Sequence, residues 1–356
     1  MSRQRVALDA RRLQDRPLGG VGRAVNGVLD LLAREIDVVL VTDARREPVD
    51  SALPQVALRA PRRAPETVWL QWSAARWLRG FNGVFHGTFN QLPFRPPVPA
   101  VVSIYDLSFE VHPEGFGYAK RRVFQLHARY AARVARRVVT ASQYTKGELV
   151  RRYAIEPDRV LVAPIGVEAS FTPDRATEAG PLRERLGLTG RYVVAMSGAR
   201  RRGLEVAKAA WRRAHAAGDT VDLVVVGPEA LEPEPGVVHA GSLDDRDWPV
   251  LLADAAAFCY PTRYEGFGVP ALESIASGTP VVCAPVGSLP EVLGDAAEWC
   301  EAPTVDAISA GLRRVLEDPE RADLLRRRSL ARAAAHPGWE EAGDALLSAY
   351  RAAARR

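Results

Sequence analysis

The sequence predicts an α/β protein built from two doubly wound parallel sheets. Short apolar runs typical of buried strands alternate with segments of helical length along the whole chain. The chain has 356 residues, which is more than one hydrophobic core usually serves. The alternation breaks at 163–175, where Pro164, Gly166 and Pro173 interrupt the periodicity. Each half is therefore expected to form its own sheet with helices on both faces.

The predicted elements follow the apolar runs in order. The strands are expected at 5–10, 37–42, 83–87, 100–106, 137–142, 192–198, 221–227, 255–261 and 279–285. The helices are expected at 21–35, 119–136, 144–153, 203–217, 269–277, 304–317 and 319–334. A last helix, at about 338–354, is amphipathic, with Trp339, Leu346, Leu347 and Tyr350 on one face.

The chain is mildly basic, and nearly all of its basic residues are arginines. The formal net charge is +5, and the only lysines are Lys120, Lys146 and Lys208. The aromatic residues are not interleaved with the basic ones as a platform for stacking bases requires, so a nucleic-acid partner is disfavoured. Anionic partners such as nucleotide phosphates or an acidic membrane surface fit this charge better.

The cysteines and the N-terminus indicate a cytoplasmic protein. Cys259, Cys283 and Cys300 form no CxxC pair, and the first two lie inside strand-like runs, so buried free thiols are expected. The N-terminal MSRQRVALDARRL lacks the apolar stretch of a signal peptide, and no apolar run approaches the length of a membrane span.

One basic amphipathic segment, 119–137, allows two interpretations. It could contact the anionic inner face of a membrane peripherally. Alternatively, it is a surface helix whose arginines simply face water, and this plainer interpretation is favoured.

The segment 260–282, YPTRYEGFGVPALESIASGTPVV, carries the most specific pattern in the chain. It predicts a strand, a loop, a helix and a second strand. Gly266 and Gly268 flank Phe267 in the loop, and glycines let a backbone approach a ligand closely. Pro270 suits the first position of the helix.

The start of this helix is a candidate anion site. Its free N–H groups and the positive end of its dipole attract phosphate, and a diphosphate would fit the loop 267–269. Glu265 and Glu273 flank the loop, and carboxylates bind vicinal hydroxyls, so one could hold a ribose and the other a sugar ring. Alternatively, Glu273 only complements the dipole and Glu265 caps the helix. The coincidence of the glycine loop, the two glutamates and the buried strands favours binding.

This segment resembles glycosyltransferase family 4, in which two glutamates are separated by seven residues in a PSxxEGFGxPxxEAMAxGxPV setting. The chain reads PTRYEGFGVPALESIASGTPV, with Thr262 where the family usually has serine. The resemblance implies that Glu273 binds the ribose of a nucleotide-sugar donor. It implies that Glu265 contacts the transferred sugar and stabilises charge near the anomeric carbon. The backbone N–H groups that would hold phosphate are those of Phe267, Gly268 and Val269.

The resemblance covers nearly the whole chain and implies the GT-B fold, two Rossmann-like domains facing across a cleft. VLVAPIGVEASFTP (160–173) resembles the family's interdomain segment. The expected acceptor domain is 1–168, and the expected donor domain is 169–337. The C-terminal helix, about 338–356, is expected to pack back on the first domain.

Two further stretches resemble the parts of the family that hold the donor diphosphate. GGVGRAVNGVLDLL (19–32) resembles a glycine loop entering the first helix, which implies that Gly20 and Gly22 face the diphosphate; an ordinary strand–helix turn is the alternative. MSGARRRGLEVAKAAW (196–211) stands where the family supplies an arginine and a lysine. Arg202 takes the lysine position, and Arg200 or Arg201 would serve as the arginine. Cationic groups there would stabilise the charge on a leaving diphosphate.

The chain departs from the family at two places. A His-Asp pair of the family reads Tyr105-Asp106, which leaves Asp106 as a catalytic candidate and puts Tyr105 on the acceptor side. The family's PNG reads Pro164-Ile165-Gly166. His86, at the end of a strand, is either an alternative polar contact for the acceptor or a buried supporting residue.

Asp245-Arg246-Asp247 spells the Asp-x-Asp pattern with which other glycosyltransferases bind a metal. Its position favours the start of a helix, where aspartate is a preferred cap. We therefore expect no metal and no cofactor. The resemblance places the nucleobase pocket at Gly241 to Leu243.

Taken together, the residues and the resemblance predict a retaining, metal-independent hexosyltransferase. The donor would be a GDP-mannose-like sugar or a UDP-sugar, and the acceptor a glycan, a lipid-linked sugar or a small molecule. The alternative is a degenerate, non-catalytic GT-B subunit that binds nucleotide and supports a partner enzyme, since Tyr105 and Ile165 replace family residues. A Rossmann oxidoreductase is disfavoured because Gly20-Val21-Gly22 is followed by Val25 where that motif needs glycine.

Overall fold

A computed structural model describes residues 3–15, 18–214, 221–229 and 232–355. The chain divides into two compact units, which are treated separately below. Unit 1 comprises Met1–Gly166 together with Pro337–Arg356, and unit 2 comprises Val167–His336. Each unit contains one parallel sheet with helices around it.

The sheets have related strand orders. Within the described residues, unit 1 has a seven-stranded sheet in the order β3-β2-β1-β4-β5-β6-β7, and unit 2 has a six-stranded sheet in the order β10-β9-β8-β11-β12-β13. All neighbouring strands in both sheets run parallel. The strands are β1 Arg5–Asp9, β2 Asp37–Asp43, β3 Gln55–Leu58, β4 Val84–Gly87, β5 Ala100–Ser103, β6 Arg137–Thr140, β7 Val160–Val162, β8 Arg191–Met196, β9 Val221–Val226, β10 Val237–Gly241, β11 Ala257–Tyr260, β12 Val281–Cys283 and β13 Ala297–Trp299.

Helices connect the strands, as parallel pairing requires. They are α1 Gly20–Asn26, α2 Leu29–Glu35, α3 Glu66–Val68, α4 Ala75–Leu78, α5 Ser108–Val111, α6 Tyr118–Val134, α7 Gln143–Tyr153, α8 Gly180–Leu186, α9 Leu204–Ala214, α10 Asp247–Asp254, α11 Val269–Ala276, α12 Leu289–Leu293, α13 Val305–Leu316, α14 Pro319–Ala334 and α15 Trp339–Ala354. A π-helical turn, Trp69–Ala74, joins α3 to α4. Within the described residues, no helix combines the length and the apolar character that crossing a bilayer demands.

The last helix, α15, belongs to unit 1 and packs on its sheet. Its buried face, Ala342, Leu346, Leu347, Ala349, Tyr350 and Ala353, joins a core cluster with strands β1, β2 and β4. The indole of Trp339 lies against Gly27 and Gly166, where an added Cβ would meet its ring atoms at 2.6 Å. Both positions therefore require glycine for close packing. The predicted helix 21–35 is wrong as one element: the chain forms α1 and α2, and the break lies at Gly27 and Val28.

The core of unit 2 is formed by strands whose residues are apolar on both faces, as expected for a parallel sheet covered by helices. Val193, Val225 and Cys259 are almost fully buried among the side chains of α9 and α13. All three cysteines are buried and unpaired, as the sequence predicted for Cys259 and Cys283. Burial raises the pKa of the Cys300 thiol to about 11, so this group is un-ionised at neutral pH.

Candidate functional site

The strand order of unit 2 marks where a ligand is expected. Successive strands lie on one side of β8 up to β10 and on its other side from β11 onward, so the order reverses between β8 and β11. In open parallel sheets, ligands bind beyond the carboxyl ends of the strands at such a reversal. The carboxyl ends here are Met196 and Tyr260. The segments that follow them carry the predicted arginines and Glu265.

The arginines form one tight turn after β8. Arg200–Arg202 is a single 3-10 turn that ends at Gly203, whose φ of +69° favours glycine. A Cβ at Gly203 would lie 2.5 Å from the carbonyl oxygen of Pro261, so the turn is pressed against the end of β11. The backbone N–H of Arg263 donates to the carbonyl oxygen of Arg201 at 2.8 Å. The arginine turn and the loop after β11 are therefore fastened to each other.

Two of these arginines have different electrostatic surroundings. Arg201 donates its Nε–H to the carbonyl oxygen of Tyr264 at 3.1 Å, and its Nη2 lies 3.7 Å from Oε2 of Glu265. Arg202 donates from Nη1 to the carbonyl oxygen of Ser197 at 3.1 Å. Its buried Nε finds no acceptor, and no carboxylate pairs with it, within the part of the chain that the structure describes. Arg202 therefore retains a positive charge that the described carboxylates do not balance.

Glu265 is held on both its side chain and its backbone. The side chain is 6% exposed, and its Oε1 accepts a hydrogen bond from the hydroxyl of Tyr260 at 2.6 Å. The carbonyl oxygen of Glu265 accepts from the N–H of Ser288 at 3.1 Å and from its hydroxyl at 3.2 Å. Gly287, at φ +60°, lets this neighbouring segment approach: a Cβ there would lie 2.2 Å from the same carbonyl oxygen. The position of the carboxylate is thus fixed by the fold.

The N-terminus of α11 presents backbone donors. Gly268 precedes the helix with φ +96°, and a Cβ there would meet Leu289 at 2.6 Å. Among the described residues, the N–H groups of Phe267, Gly268 and Val269 donate no hydrogen bond. Three consecutive unused amides at the positive end of a helix are suited to bind an anion. The ring of Phe267 packs edge-on against His336.

Glu273 lies one turn further along α11 and is 5% exposed. Its Oε2 accepts a hydrogen bond from the indole N–H of Trp248, on α10, at 2.7 Å. A buried carboxylate costs free energy unless hydrogen bonds compensate it. Trp248 therefore stabilises Glu273 in place and sets its direction.

The two glutamates are held by one continuous aromatic stack. Trp248 meets the ring of Phe258 edge-on at 6.4 Å, and Phe258 stacks on Tyr260 at 4.9 Å. Phe258 and Tyr260 lie two residues apart on β11 and so face the same side of the sheet. The polar end of Trp248 binds Glu273, and the polar end of Tyr260 binds Glu265. Burial raises the pKa of Tyr260 well above its usual value, so its hydroxyl remains a donor.

Sequence reasoning did not find Trp248 or Tyr260 as functional residues. Tyr260 had a weak signal, since it ends the strand just before the loop of Glu265. Trp248 had none, because its partner Glu273 is 25 residues away along the chain.

The predicted nucleobase segment lies at the end of β10. Gly241 ends this strand with φ +67°, after an irregularity in its pairing with β9. Its carbonyl oxygen accepts from the N–H of Gly227 at 2.8 Å. Leu243 follows in a half-exposed loop. Both residues are therefore on the carboxyl edge of the sheet, like the arginine turn.

The Asp-x-Asp segment, Asp245 to Asp247, lies at the start of α10 as expected, but the aspartate whose side chain accepts from the helix start is Asp244, which precedes the segment. Oδ1 of Asp244 accepts from the backbone N–H groups of Arg246 at 3.0 Å and Asp247 at 2.9 Å. These hydrogen bonds lower the pKa of Asp244. Asp247 forms an ion pair with Arg185. Over the described ranges, no group of three or more histidine, cysteine, aspartate or glutamate residues could hold a metal ion.

The remaining candidates lie in unit 1. His86 is 2% exposed, with Nδ1 2.7 Å from the hydroxyl of Tyr350 and Nε2 2.8 Å from that of Ser103. Burial lowers the pKa of His86 to about 4, so the ring is neutral at pH 7. Both ring nitrogens form hydrogen bonds within unit 1. This agrees with the second of the two interpretations from the sequence, a buried supporting residue.

Tyr105 and Asp106 follow β5, which ends at Ser103 and not at the predicted residue 106. Burial raises the pKa of Tyr105, whose hydroxyl bonds Ser103, the partner of His86. Oδ1 of Asp106 accepts from the N–H and the hydroxyl of Ser108 at 2.9 and 2.7 Å. Asp106 therefore caps α5 with one of its oxygens.

Gly20 and Gly22 belong to the first turn of α1. Gly20 is exposed and directly follows the N-cap, Gly19. Gly22 is buried, and a Cβ there would lie 2.7 Å from the carbonyl oxygen of Arg12. Gly22 thus permits close packing within unit 1, whatever else the helix start binds.

Comparison with solved structures defines the class of protein. The fold matches sucrose-phosphate synthase from Thermosynechococcus elongatus with a TM-score of 0.76 at 20% identity, covering 98% of both chains. It also matches the Anabaena protein HepE in complex with UDP-glucose, with a TM-score of 0.74 at 16% identity, covering 97% of this chain and 98% of the other. The fold is therefore that of the GT-B glycosyltransferases.

Sequence comparison then identifies the family. The family model for glycosyltransferase family 4 matches residues 18–171, and the model for group 1 glycosyl transferases matches residues 182–332. The chain belongs to glycosyltransferase family 4.

Two curated relatives are mannosyltransferases. O-antigen chain mannosyltransferase B of Escherichia coli is 29% identical over 75% of this chain and 74% of its own length. MMP alpha-(1->4)-mannosyltransferase of Mycolicibacterium hassiacum is 32% identical over 63% of this chain and 56% of its own length.

Proposed function

We propose that this chain is a retaining, metal-independent hexosyltransferase that uses a nucleotide diphosphate sugar as donor. The supporting observation is the site in unit 2, where the pair Arg201–Glu265 lies at the reversal between β8 and β11. A diphosphate bound there would meet the charge of Arg202 and the unused amides of Phe267 to Val269. Arg200, exposed on the same turn, would add a third cationic group.

The chemistry follows from where charge develops. The bond between the anomeric carbon and the phosphate oxygen breaks, so negative charge grows on the diphosphate and positive charge on the sugar ring. The arginines and the amides stabilise the diphosphate without a metal, because they are already oriented in the folded protein. Glu265 offsets the positive charge of the sugar and binds its hydroxyls, and Glu273 binds the ribose.

The acceptor is a hydroxyl of a glycan, a lipid-linked sugar or a small molecule, and we assign its binding to unit 1, near Tyr105. A phosphate oxygen of the departing diphosphate takes the proton of this hydroxyl as the new glycosidic bond forms. Attack therefore comes from the side that the diphosphate leaves, and the anomeric configuration of the donor is retained. Mannose and glucose are the first sugars to test, since relatives are mannosyltransferases and HepE was solved with UDP-glucose.

The test is a transfer assay with UDP-, GDP- and dTDP-hexoses and a panel of hydroxyl acceptors, chosen after a thermal-shift screen of the donors. We expect nucleotide release that EDTA does not reduce. We also expect a product whose anomeric configuration, measured by NMR, is the same as that of the donor. Glu265→Gln should lose about a hundredfold or more in rate. Glu205→Gln, at an exposed position on α9, is the matched control and should retain the rate.

Two results would contradict the proposal. An inverted product would exclude the retaining route. Tight donor binding without transfer or hydrolysis, for every donor and acceptor, would instead support the non-catalytic alternative.

A further inference from the structure

The exposed apolar side chains of this protein are concentrated in one part of unit 1. Seven large apolar residues are exposed among those the structure describes, and all but Leu330 lie between residues 72 and 134. The most exposed are Tyr118 at 77%, Trp72 at 75% and Leu126 at 64%. Single exposed apolar residues are normal on any protein, whereas a group of them marks an interaction surface.

Helix α6 carries the centre of this group. Its inner side is formed by Gln125, Ala128, Ala131 and Ala132, which are buried. With 100° between successive residues, Val123, Leu126 and Tyr130 lie on the opposite side. The helix thus presents an apolar strip to solvent as well as a buried face to the core. A surface helix of a globular protein normally has polar residues in that position.

The chain around Phe94 extends the strip beyond the helix. The ring of Phe94, which is 56% exposed, stacks on His127 at 5.7 Å and meets Tyr130 edge-on at 4.9 Å. Its backbone N–H donates to the side chain of Gln71 at 2.6 Å, and Trp72 follows Gln71 in the π-helical turn. We call Trp72, Phe94, Tyr118, Val123 and Leu126 together the outer face.

The residues around the outer face are predominantly basic, although Arg129 pairs with Glu110. Helix α6 contains Lys120, Arg121, Arg122, Arg129 and Arg133 and no acidic residue. The 39 residues from Thr67 to Tyr105, which include Trp72 and Phe94, contain three arginines and likewise no aspartate or glutamate. Arg122 and Arg133 are exposed on the same side of α6 as Leu126, and Arg95 is exposed next to Phe94.

We propose that the outer face docks peripherally on a lipid bilayer that contains anionic phospholipids. Arginine and lysine would bind the headgroups, while Trp72, Phe94 and Leu126 would enter the boundary between headgroups and acyl chains. Val123 and Leu126 favour a bilayer over other anionic partners. Aliphatic side chains are stabilised when they leave water for hydrocarbon, and a solvated polyanion offers them no such stabilisation. This inference is independent of the transfer reaction and would bring the enzyme to a lipid-linked acceptor.

The experiment is co-sedimentation of the full chain with vesicles of phosphatidylcholine, with and without phosphatidylglycerol. We expect binding to the anionic vesicles that weakens as salt is added, and a blue shift of tryptophan emission that Trp72→Phe removes. Arg122→Glu and Leu126→Glu should each weaken binding about tenfold. Arg327→Glu and Leu330→Glu, at exposed positions on α14, are the matched controls and should bind as the wild type does.

Nucleotide release with a water-soluble acceptor should be the same in all four charge-introducing variants, which separates docking from catalysis. Equal binding to both kinds of vesicle, or outer-face variants that bind like their controls, would overturn the proposal. So would a lipid-free dimer that Leu126→Glu dissociates, because the outer face would then be covered by a second copy of the chain.

Discussion

The indole N–H of Trp248 donates a hydrogen bond of 2.7 Å to Oε2 of Glu273, and both side chains are about 5% exposed. The bond joins α10 to α11, two helices that the chain order separates by β11. It orients the carboxylate to which we assign the ribose. Donor affinity should therefore depend on Trp248, although we assign Trp248 no contact of its own with the donor.

Trp248→Phe is expected to raise the donor KM about tenfold and to change kcat much less. The variant removes a hydrogen bond to a buried charged group, an interaction of about 1.5–3 kcal/mol. Because the ribose is bound equally before and during the reaction, the loss falls on binding. Steady-state kinetics with varied donor concentration measure both constants.

The matched control is Trp211→Phe. The indole of Trp211 is equally buried and donates to the carbonyl oxygen of Val221 at 2.9 Å, within the core between α9 and β9. This variant should lose stability but keep the donor KM. A KM that rises equally in both variants would mean that general loosening of unit 2, not the orientation of Glu273, is responsible.

Tyr260→Phe should have the opposite kinetic pattern. Its hydroxyl holds Oε1 of Glu265 at 2.6 Å, and Glu265 is assigned to the charge that develops on the sugar. Removing the hydroxyl frees the carboxylate to move, so we expect kcat to fall about tenfold while the donor KM stays within a factor of about two.

Tyr192→Phe controls for loss of a buried tyrosine hydroxyl. That hydroxyl donates to the carbonyl oxygen of Leu251 at 2.9 Å and not to Glu265. Unchanged kcat in Tyr260→Phe would show that Glu265 needs no orientation from the aromatic stack.

Arg202→Ala should lose most of the transfer rate while the protein stays folded. The guanidinium is unpaired by any described carboxylate, so its removal leaves no buried counter-charge behind and costs little stability. The positive charge that it brings to the leaving diphosphate is lost, for which we expect a fall in kcat of about a hundredfold.

Arg202→Lys should recover part of the rate, since it restores the charge but not the planar geometry of the guanidinium. Circular dichroism and thermal melts establish that each variant is folded. A wild-type rate in Arg202→Ala would remove this residue from the site.

Gly268→Ala tests the helix start. Alanine is strained at φ +96°, and its Cβ would meet Leu289 at 2.6 Å, so about 2 kcal/mol of stability should be lost and α11 should shift. Nucleotide binding, measured by calorimetry, should weaken with it. Gly180→Ala, where a Cβ meets nothing within 4 Å and φ is not positive, should change neither quantity.

The sequence predicted the central strands well because their physical signal is local. β2 and β9 lie within a residue of their predicted bounds, since each consists mainly of buried apolar residues. The four edge strands, β3, β7, β10 and β13, escaped prediction. They have only three to five residues each, which is too short for a pattern to be recognised.

Helices were missed or altered where tertiary contacts override the pattern. The start of α10 was predicted from its aspartates, but its extent was not. Six of its eight residues are buried, and its apolar residues lie on nearly every side, so no amphipathic period was visible. The predicted helix 21–35 is broken at Gly27, against which Trp339 packs from more than 300 residues away along the chain. The last residues of the predicted helix 203–217, from 215 onward, lie outside the described residues.

In the candidate site, too, residues with a local sequence signal were predicted and residues that depend on tertiary contacts were not. Glu265, Glu273 and the glycine loop were visible because they lie in one short segment. Their partners Trp248 and Tyr260 were not, since a hydrogen bond between two elements depends on how α10 and β11 pack. The assignments of Asp106 and Gly20 remain predictions.

His86 provides a test of the interior of unit 1 through pH. Burial lowers its pKa from 6.5 to about 4, so the folded protein holds the ring neutral while the unfolded chain protonates it near pH 6.5. The unfolded state then binds more protons below pH 6.5, and stability falls as the pH falls. Between pH 8 and pH 5 the loss from this one group should be about 2 kcal/mol, and it should level off below about pH 4.

The measurement is urea unfolding at both pH values for the wild type and for His86→Gln. Glutamine retains polar groups toward Ser103 and Tyr350 but does not titrate. The variant should be less stable at pH 8, yet its stability should change less between the two pH values, by about 2 kcal/mol. Other titrating groups contribute equally to both proteins and cancel in this difference. Identical pH dependence would mean that His86 can be protonated in the folded protein, and that its contacts with Tyr350 and Ser103 open readily in solution.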